Sequence, residues 1–170
     1  APPAGFIIWA TLAPMSASSS LKFAANLSWL YTDLPFLDRF EAAARDGFKG
    51  VECLFPHEFP MPEVRDRLRH NGLQLVLFNA APGDWSQGDR GLACLADREA
   101  AFHASIDDAL TLAEALDCPR IHVMAGLCRE DDQAASWARY QAHLAWAAQR
   151  AEQAGRTLMI EPINTRDMPG

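Results

Sequence analysis

Several familiar signals are missing from this sequence. It has no Gly-x-Gly-x-x-Gly after its first strand-like run and no Gly-x4-Gly-Lys-Ser/Thr. Nucleotide-binding folds therefore lose their usual phosphate-cradling support. No like-charge block is longer than Glu130-Asp-Asp132, and the net charge is −7 with a pI near 5.1. That balance argues against a nucleic-acid partner, which wants a basic face. The four cysteines, Cys53, Cys94, Cys118 and Cys128, are widely spaced with no Cys-x-x-Cys. This spacing excludes a zinc motif and fits the reduced thiols of a cytosolic enzyme better than a disulfide framework. Cys53, inside an apolar run, reads as a small buried hydrophobe.

Residues 1–20 contain no Lys or Arg. The apolar run from Gly5 to Ala13 thus lacks the basic region of a signal peptide, although Ser16-Ala-Ser18 resembles a cleavage site. It is also too short to span a bilayer. Met15, followed by Ser-Ala-Ser-Ser-Ser, looks like a start. Residues 1–14 therefore read as upstream sequence, and residues 1–20 are expected to be mostly disordered.

What is present is a βα rhythm over residues 21–170. With 170 residues, 49% of them hydrophobic, the chain can bury one real core. Strands are expected near 21–26, 50–55, 73–79, 119–124 and 157–161. The first helix is expected to open at Pro35, capped by Thr32 or Asp33, and to end at Gly47. A short helix over 62–70 presents Val64 and Leu68 inward. A long one over 98–117 carries Phe102, Ile106, Ala109, Leu110, Ala113 and Leu116 as its stripe. The last, over 132–154, is expected to turn Trp137, Tyr140, Leu144, Ala147, Ala148 and Ala151 inward. Strands alternating with helices imply parallel pairing and right-handed crossovers, compatible with either a doubly wound sheet or a (β/α)8 barrel.

The stretch Thr157-Leu-Met-Ile-Glu-Pro-Ile-Asn164 anchors the functional reading. Its apolar run reads as a strand buried on both faces, stopped by Pro162, which cannot donate to a ladder. Glu161 then sits at the strand's C-terminal end, either as a functional carboxylate or as an acid salt-bridged to a neighbouring strand. Glu52, inside the second strand's apolar run, poses the same choice. Asn26 and Asn79 also fall at strand C-termini, which in a barrel form the catalytic rim. The connection over 80–97 is long enough for a lid or binding loop. Within it, Arg90 is either a bidentate carboxylate clamp or a solvated surface residue. His122, in the fourth strand, reads as a core histidine because it has no partners at ligand spacing.

Taken together, Phe23-Ala-Ala-Asn-Leu-Ser28, Gly50-Val-Glu52 with Phe55-Pro56, Phe78-Asn79, Pro82-Gly-Asp-Trp85, Arg90-Gly91 and Ile160-Glu-Pro-Ile-Asn164 resemble the hydroxypyruvate isomerase family. That family belongs to the xylose-isomerase-like TIM barrels. The resemblance implies an α/β fold, a partial (β/α)8 barrel with five parallel strands and four helices, corresponding to the N-terminal three-fifths of a family member. It implies a cytoplasmic isomerase that interconverts hydroxypyruvate and tartronate semialdehyde through a metal-stabilised enediolate. Isomerisation of a four-carbon 2-oxo acid and sugar epimerisation are the alternatives, and a non-catalytic half-barrel module is the reading from another class. In family terms Glu161 is the catalytic acid/base and a ligand of a divalent metal, Mg²⁺ or Mn²⁺. Asn26, Glu52, Asn79 and Arg90 are the implied substrate contacts. The family's second glutamate and remaining ligands have no matching positions here. This chain is therefore expected to be inactive alone and to associate through open sheet edges. The implied partner is a small hydroxy-oxo acid, with no nucleic acid and no membrane.

Overall fold

Five parallel strands pair in the order β1-β2-β3-β4-β5, each with its neighbour in sequence, in a computed structural model that describes residues 21–128 and 132–163. The strands are β1 (Ala24–Asn26), β2 (Gly50–Cys53), β3 (Gln74–Asn79), β4 (Arg120–His122) and β5 (Thr157–Met159). Helices α1 (Arg39–Arg45), α2 (Met61–His70), α3 (Glu99–Ala115) and α4 (Gln133–Gln153) fill the four crossovers. A doubly wound sheet reverses its strand order at a switch point. This sheet has no reversal, so the arrangement is that of a barrel wall. Residues 1–20, where a leader was expected, lie outside the described residues.

Register decides which side chains face the helices. Ala25, Val51 and Leu75 stand side by side in one row, and Cys53, Phe78, Ile121 and Leu158 in the next. All of these except the half-buried Leu158 are buried against Phe40, Val64, Leu68, Phe102, Ile106, Ala113, Ala147 and Ala151 of the helices. Alternate residues turn to the opposite face: Asn26 beside Glu52, and Asn79 beside His122 and Met159. The two rows stay in phase only because β3 carries an extra residue. Val51 pairs with Leu75, but Glu52 pairs with Leu77, so the register shifts by one at Val76. A one-residue shift exchanges the faces of everything beyond it. Without it, Asn79 would turn into the helix layer, away from Glu52.

The structure corrects the sequence in three places. β5 is not a doubly covered strand: Thr157 and Met159 are exposed and Leu158 is only half-buried. It is the last strand of the described sheet and, among the described residues, pairs only with β4. The first helix does not start at a Thr32 or Asp33 cap. A 3-10 turn over Phe36–Asp38 follows Pro35, with no side-chain cap, and α1 begins at Arg39. On α4, Trp137 is 60% exposed and Ala148 is exposed, whereas Ser136 and His143 are buried. Tyr140, Leu144, Ala147 and Ala151 keep their inward place.

Candidate active site

The C-terminal ends of the strands surround a cleft of about 300 Å³ lined by Asn26, Glu52, Leu77, Asn79, His122, Met159 and Glu161, among others. A smaller lobe of about 150 Å³ continues from it, sharing His122 and Glu161 and adding Arg90, Met124, Tyr140 and Ile163. Asn26, Glu52, Asn79 and Glu161 thus share one cleft, and Arg90 lines its side lobe.

Each position has a local cause. Asn26 donates from Nδ2 to Glu52 Oε1 across the β1–β2 pair at 2.9 Å. Its own Oδ1 accepts from the Ser28 amide at 3.0 Å and so turns the chain after β1. Ser28 Oγ in turn accepts from the Leu54 amide at 2.9 Å, tying this turn to the end of β2. Glu52 is therefore held on one carboxylate oxygen by a neutral amide. Glu161 lies two residues beyond β5, exposed at the mouth of the cleft.

Arg90 is presented by the 80–97 connection, which is ordered by its own hydrogen bonds. Asp84 accepts from the amides of Ser86 and Gln87 at 3.0 and 3.2 Å, capping a 3-10 turn over Trp85–Gln87. The Ser86 hydroxyl, which donates to the same carboxylate at 2.6 Å, and then the Gln87 amide hold its carboxyl below the ordinary carboxylate range. Asp89 accepts from the Asp84 amide at 2.8 Å and from Arg98 at 3.0 Å. The Arg90 guanidinium lies 3.9 Å above the Trp85 ring and donates to the carbonyls of Asp89 and Trp85 at 2.8 and 3.1 Å. Stacking of this kind orients the planar fork while leaving other N–H groups available.

The connection is also stitched to the loop after β4. Gly91 bridges Ala125, and the Cys94 amide donates to the Ala125 carbonyl at 2.8 Å. Gly91 has φ +121°, and a Cβ there would collide with the backbone carbonyl of Met124. Only glycine permits this closeness.

His122 occupies a place the sequence reading did not assign to it. It is a buried side chain on the cleft face of the sheet, with Nδ1 3.1 Å from Asn79 Oδ1. Burial holds its imidazole below the ordinary range, while the Glu161 carboxylate pulls it partly back. The one-residue shift in β3 leaves no trace in residue type, so the alignment of His122 with Asn79 was not legible. Cys53 and Cys118 stay buried free thiols, pushed up by desolvation, Cys118 to about 11. Neither is poised as a nucleophile.

Among the described residues no three His, Cys, Asp or Glu side chains are grouped so as to hold an ion. Also among them, no helix is long and apolar enough to cross a membrane.

Residues 40–170 match the family model described as xylose isomerase-like TIM barrel. The chain is 57% identical over 150 residues to a 2-oxo-tetronate isomerase of Cupriavidus necator, covering 88% of this chain and 58% of that protein. It is 38% identical over 156 residues to the hydroxypyruvate isomerase of Escherichia coli K12, with the same coverage of 88% and 58%. Among solved structures, one described as an AP endonuclease, family 2, from Brucella melitensis superposes with a TM-score of 0.85 at 43% identity, covering 88% of this chain and 58% of that one. The chain therefore spans a little under three-fifths of the length of the relatives it matches.

Proposed function

The chain belongs to the xylose isomerase-like TIM barrel family, and from that membership we propose that it carries part of the active site of a cytoplasmic isomerase acting on small hydroxy-oxo acids. The observation that carries the reading is the convergence of Asn26, Glu52, Asn79 and Glu161 on one cleft at the strand C-termini, with Arg90 lining its side lobe. Free thiols fit the compartment.

The reaction moves hydrogen between adjacent carbons. A base removes a proton from the hydroxyl-bearing carbon, an enediolate forms, the hydroxyl hydrogen passes to the former carbonyl oxygen, and the proton returns to the former carbonyl carbon. Glu161, exposed at the cleft mouth, is proposed as one acid/base. Arg90, with its fork already oriented by Trp85, is suited to hold the substrate carboxylate in the side lobe. The Asn26 amide keeps the Glu52 carboxylate turned into the cleft, where it is proposed as a substrate contact. A divalent ion, Mg²⁺ or Mn²⁺, would stabilise the developing negative charge, and Glu161 is the ligand this chain is proposed to offer it. No proton-transfer step assigned to these residues depends on the ion.

The 57% identity to a 2-oxo-tetronate isomerase, against 38% to a hydroxypyruvate isomerase, favours the four-carbon acid over hydroxypyruvate. The name of the Brucella relative suggests a nuclease, but a net charge of −7 runs against it. The test is a chimera in which residues 21–163 replace the matching stretch of the Cupriavidus protein. It should isomerise 2-oxo-tetronate, and Glu161→Gln should lower kcat by at least about a thousandfold. A folded chimera without activity, or a Glu161→Gln variant with near-normal turnover, would overturn the proposal.

A further inference from the structure

Resting on the function just proposed, we infer that His122 reads the substrate's hydroxyl group by accepting its hydrogen at Nε2. A hydroxy-oxo acid differs from a plain oxo acid by that hydroxyl, which needs an acceptor placed beside the reacting carbons. The two asparagines of the cleft are already engaged. The Asn26 amide nitrogen is bonded to Glu52, and its oxygen to the Ser28 amide. The Asn79 amide nitrogen is turned to Met124 Sδ at 3.7 Å, which leaves Oδ1 facing His122 Nδ1 at 3.1 Å. A carbonyl oxygen can only accept, so Nδ1 carries the hydrogen and Nε2 is a bare lone pair in the neutral ring.

That lone pair opens on the cleft. Among the described residues no hydrogen bond engages Nε2, and the single sealed side-chain nitrogen or oxygen without a partner is Arg156 Nε. A purely structural histidine in a strand satisfies both nitrogens; this one satisfies the nitrogen facing Asn79 and offers the other. Its ring lies where the two lobes meet, beside both Glu161 and the chamber of Arg90. A substrate with its carboxylate at Arg90 and its reacting carbon at Glu161 would pass across it.

The experiment titrates the full 170-residue chain, ¹⁵N-labelled and at pH 7.5, with hydroxypyruvate and separately with pyruvate. The two share the carboxylate and ketone, and pyruvate lacks the hydroxyl. One neutral hydrogen bond predicts hydroxypyruvate binding about five- to tenfold tighter. His122→Phe should bring that ratio to about one while shifting the pyruvate Kd less than about twofold. His122→Gln, whose amide oxygen accepts, should keep part of the ratio even if the phenylalanine variant fails to fold. An unchanged ratio in either variant, or equal binding of both acids by the unaltered chain, overturns the inference and leaves the proposed function standing. Binding of neither acid also overturns the inference, and turnover of 2-oxo-tetronate by the chimera decides the proposed function separately.

Discussion

Replacing Gly91 with alanine separates two contributions to the position of Arg90. Gly91 sits at φ +121°, a region that residues with a Cβ hold only at about 1–3 kcal/mol. Its new Cβ would also meet the Met124 carbonyl, so the 80–97 connection must lift off the loop after β4. Lifting it loses the Gly91–Ala125 bridge and the 2.8 Å bond from the Cys94 amide to Ala125. Each such bond contributes roughly 0.5–1.5 kcal/mol. The expected total is about 2–6 kcal/mol, a large share of the roughly 5–15 kcal/mol of an ordinary domain. Gly88 supplies the control. It has φ +97°, yet a Cβ there meets nothing within 4 Å, so Gly88→Ala should cost only the conformational part, about 1–2 kcal/mol. Urea unfolding of both variants measures the difference directly. Equal destabilisation by the two would refute the stitching of the loops and the fixed position of Arg90 that rests on it.

Arg90→Lys in the chimera should raise KM about tenfold with little change in kcat, because an ammonium neither stacks flat on Trp85 nor grips a carboxylate with a fork; an unaltered KM would remove Arg90 from substrate binding. Burial holds His122 below its ordinary 6.5. The unfolded chain therefore binds more protons than the folded one just below that value. The contribution of His122 to stability is whole above pH about 6.5 and is lost as pH falls through the lowered value. Urea midpoints should drop between pH 7 and pH 5, and the variant His122→Gln should drop less; identical pH profiles would contradict the burial of this ring. The exposed apolar residues along the open edges, including Leu21 at 77%, Phe23 at 72% and Ile160 at 56%, predict concentration-dependent self-association in sedimentation. Met159→Lys/Ile160→Lys should weaken it, and a monomer at all concentrations would dispose of the edge argument.

The parallel order, the four crossovers and the polar strand ends were legible because each depends on local pattern. Apolar runs bounded by Gly and Pro located every strand to within a few residues. What failed depends on neighbours far along the chain. The burial of β5 was inferred from its own composition, but burial is set by what pairs with its second edge. Trp137 and His143 lie on the same helix, and composition favours the tryptophan as the core residue. The interior instead takes the histidine, whose Nδ1 bonds to the Ala93 carbonyl at 2.9 Å and whose ring stacks on Phe102. Glu161 and Arg90 were visible through their motifs. The pairing of His122 with Asn79 hinges on the one-residue shift at Val76, which no residue type announces.

The strand order has a kinetic consequence. Every strand pairs with the one synthesised just before it, so no pairing must wait for a distant segment to arrive. The sheet can grow by accretion as each βα unit leaves the ribosome, with loop-closure entropy met in short, similar steps. The widest gap to close lies between β3 and β4, where Asn79 must find His122 across the long 80–97 connection and α3. That closure is the natural candidate for the slow step of folding, and it is also the step that joins the two halves of the cleft.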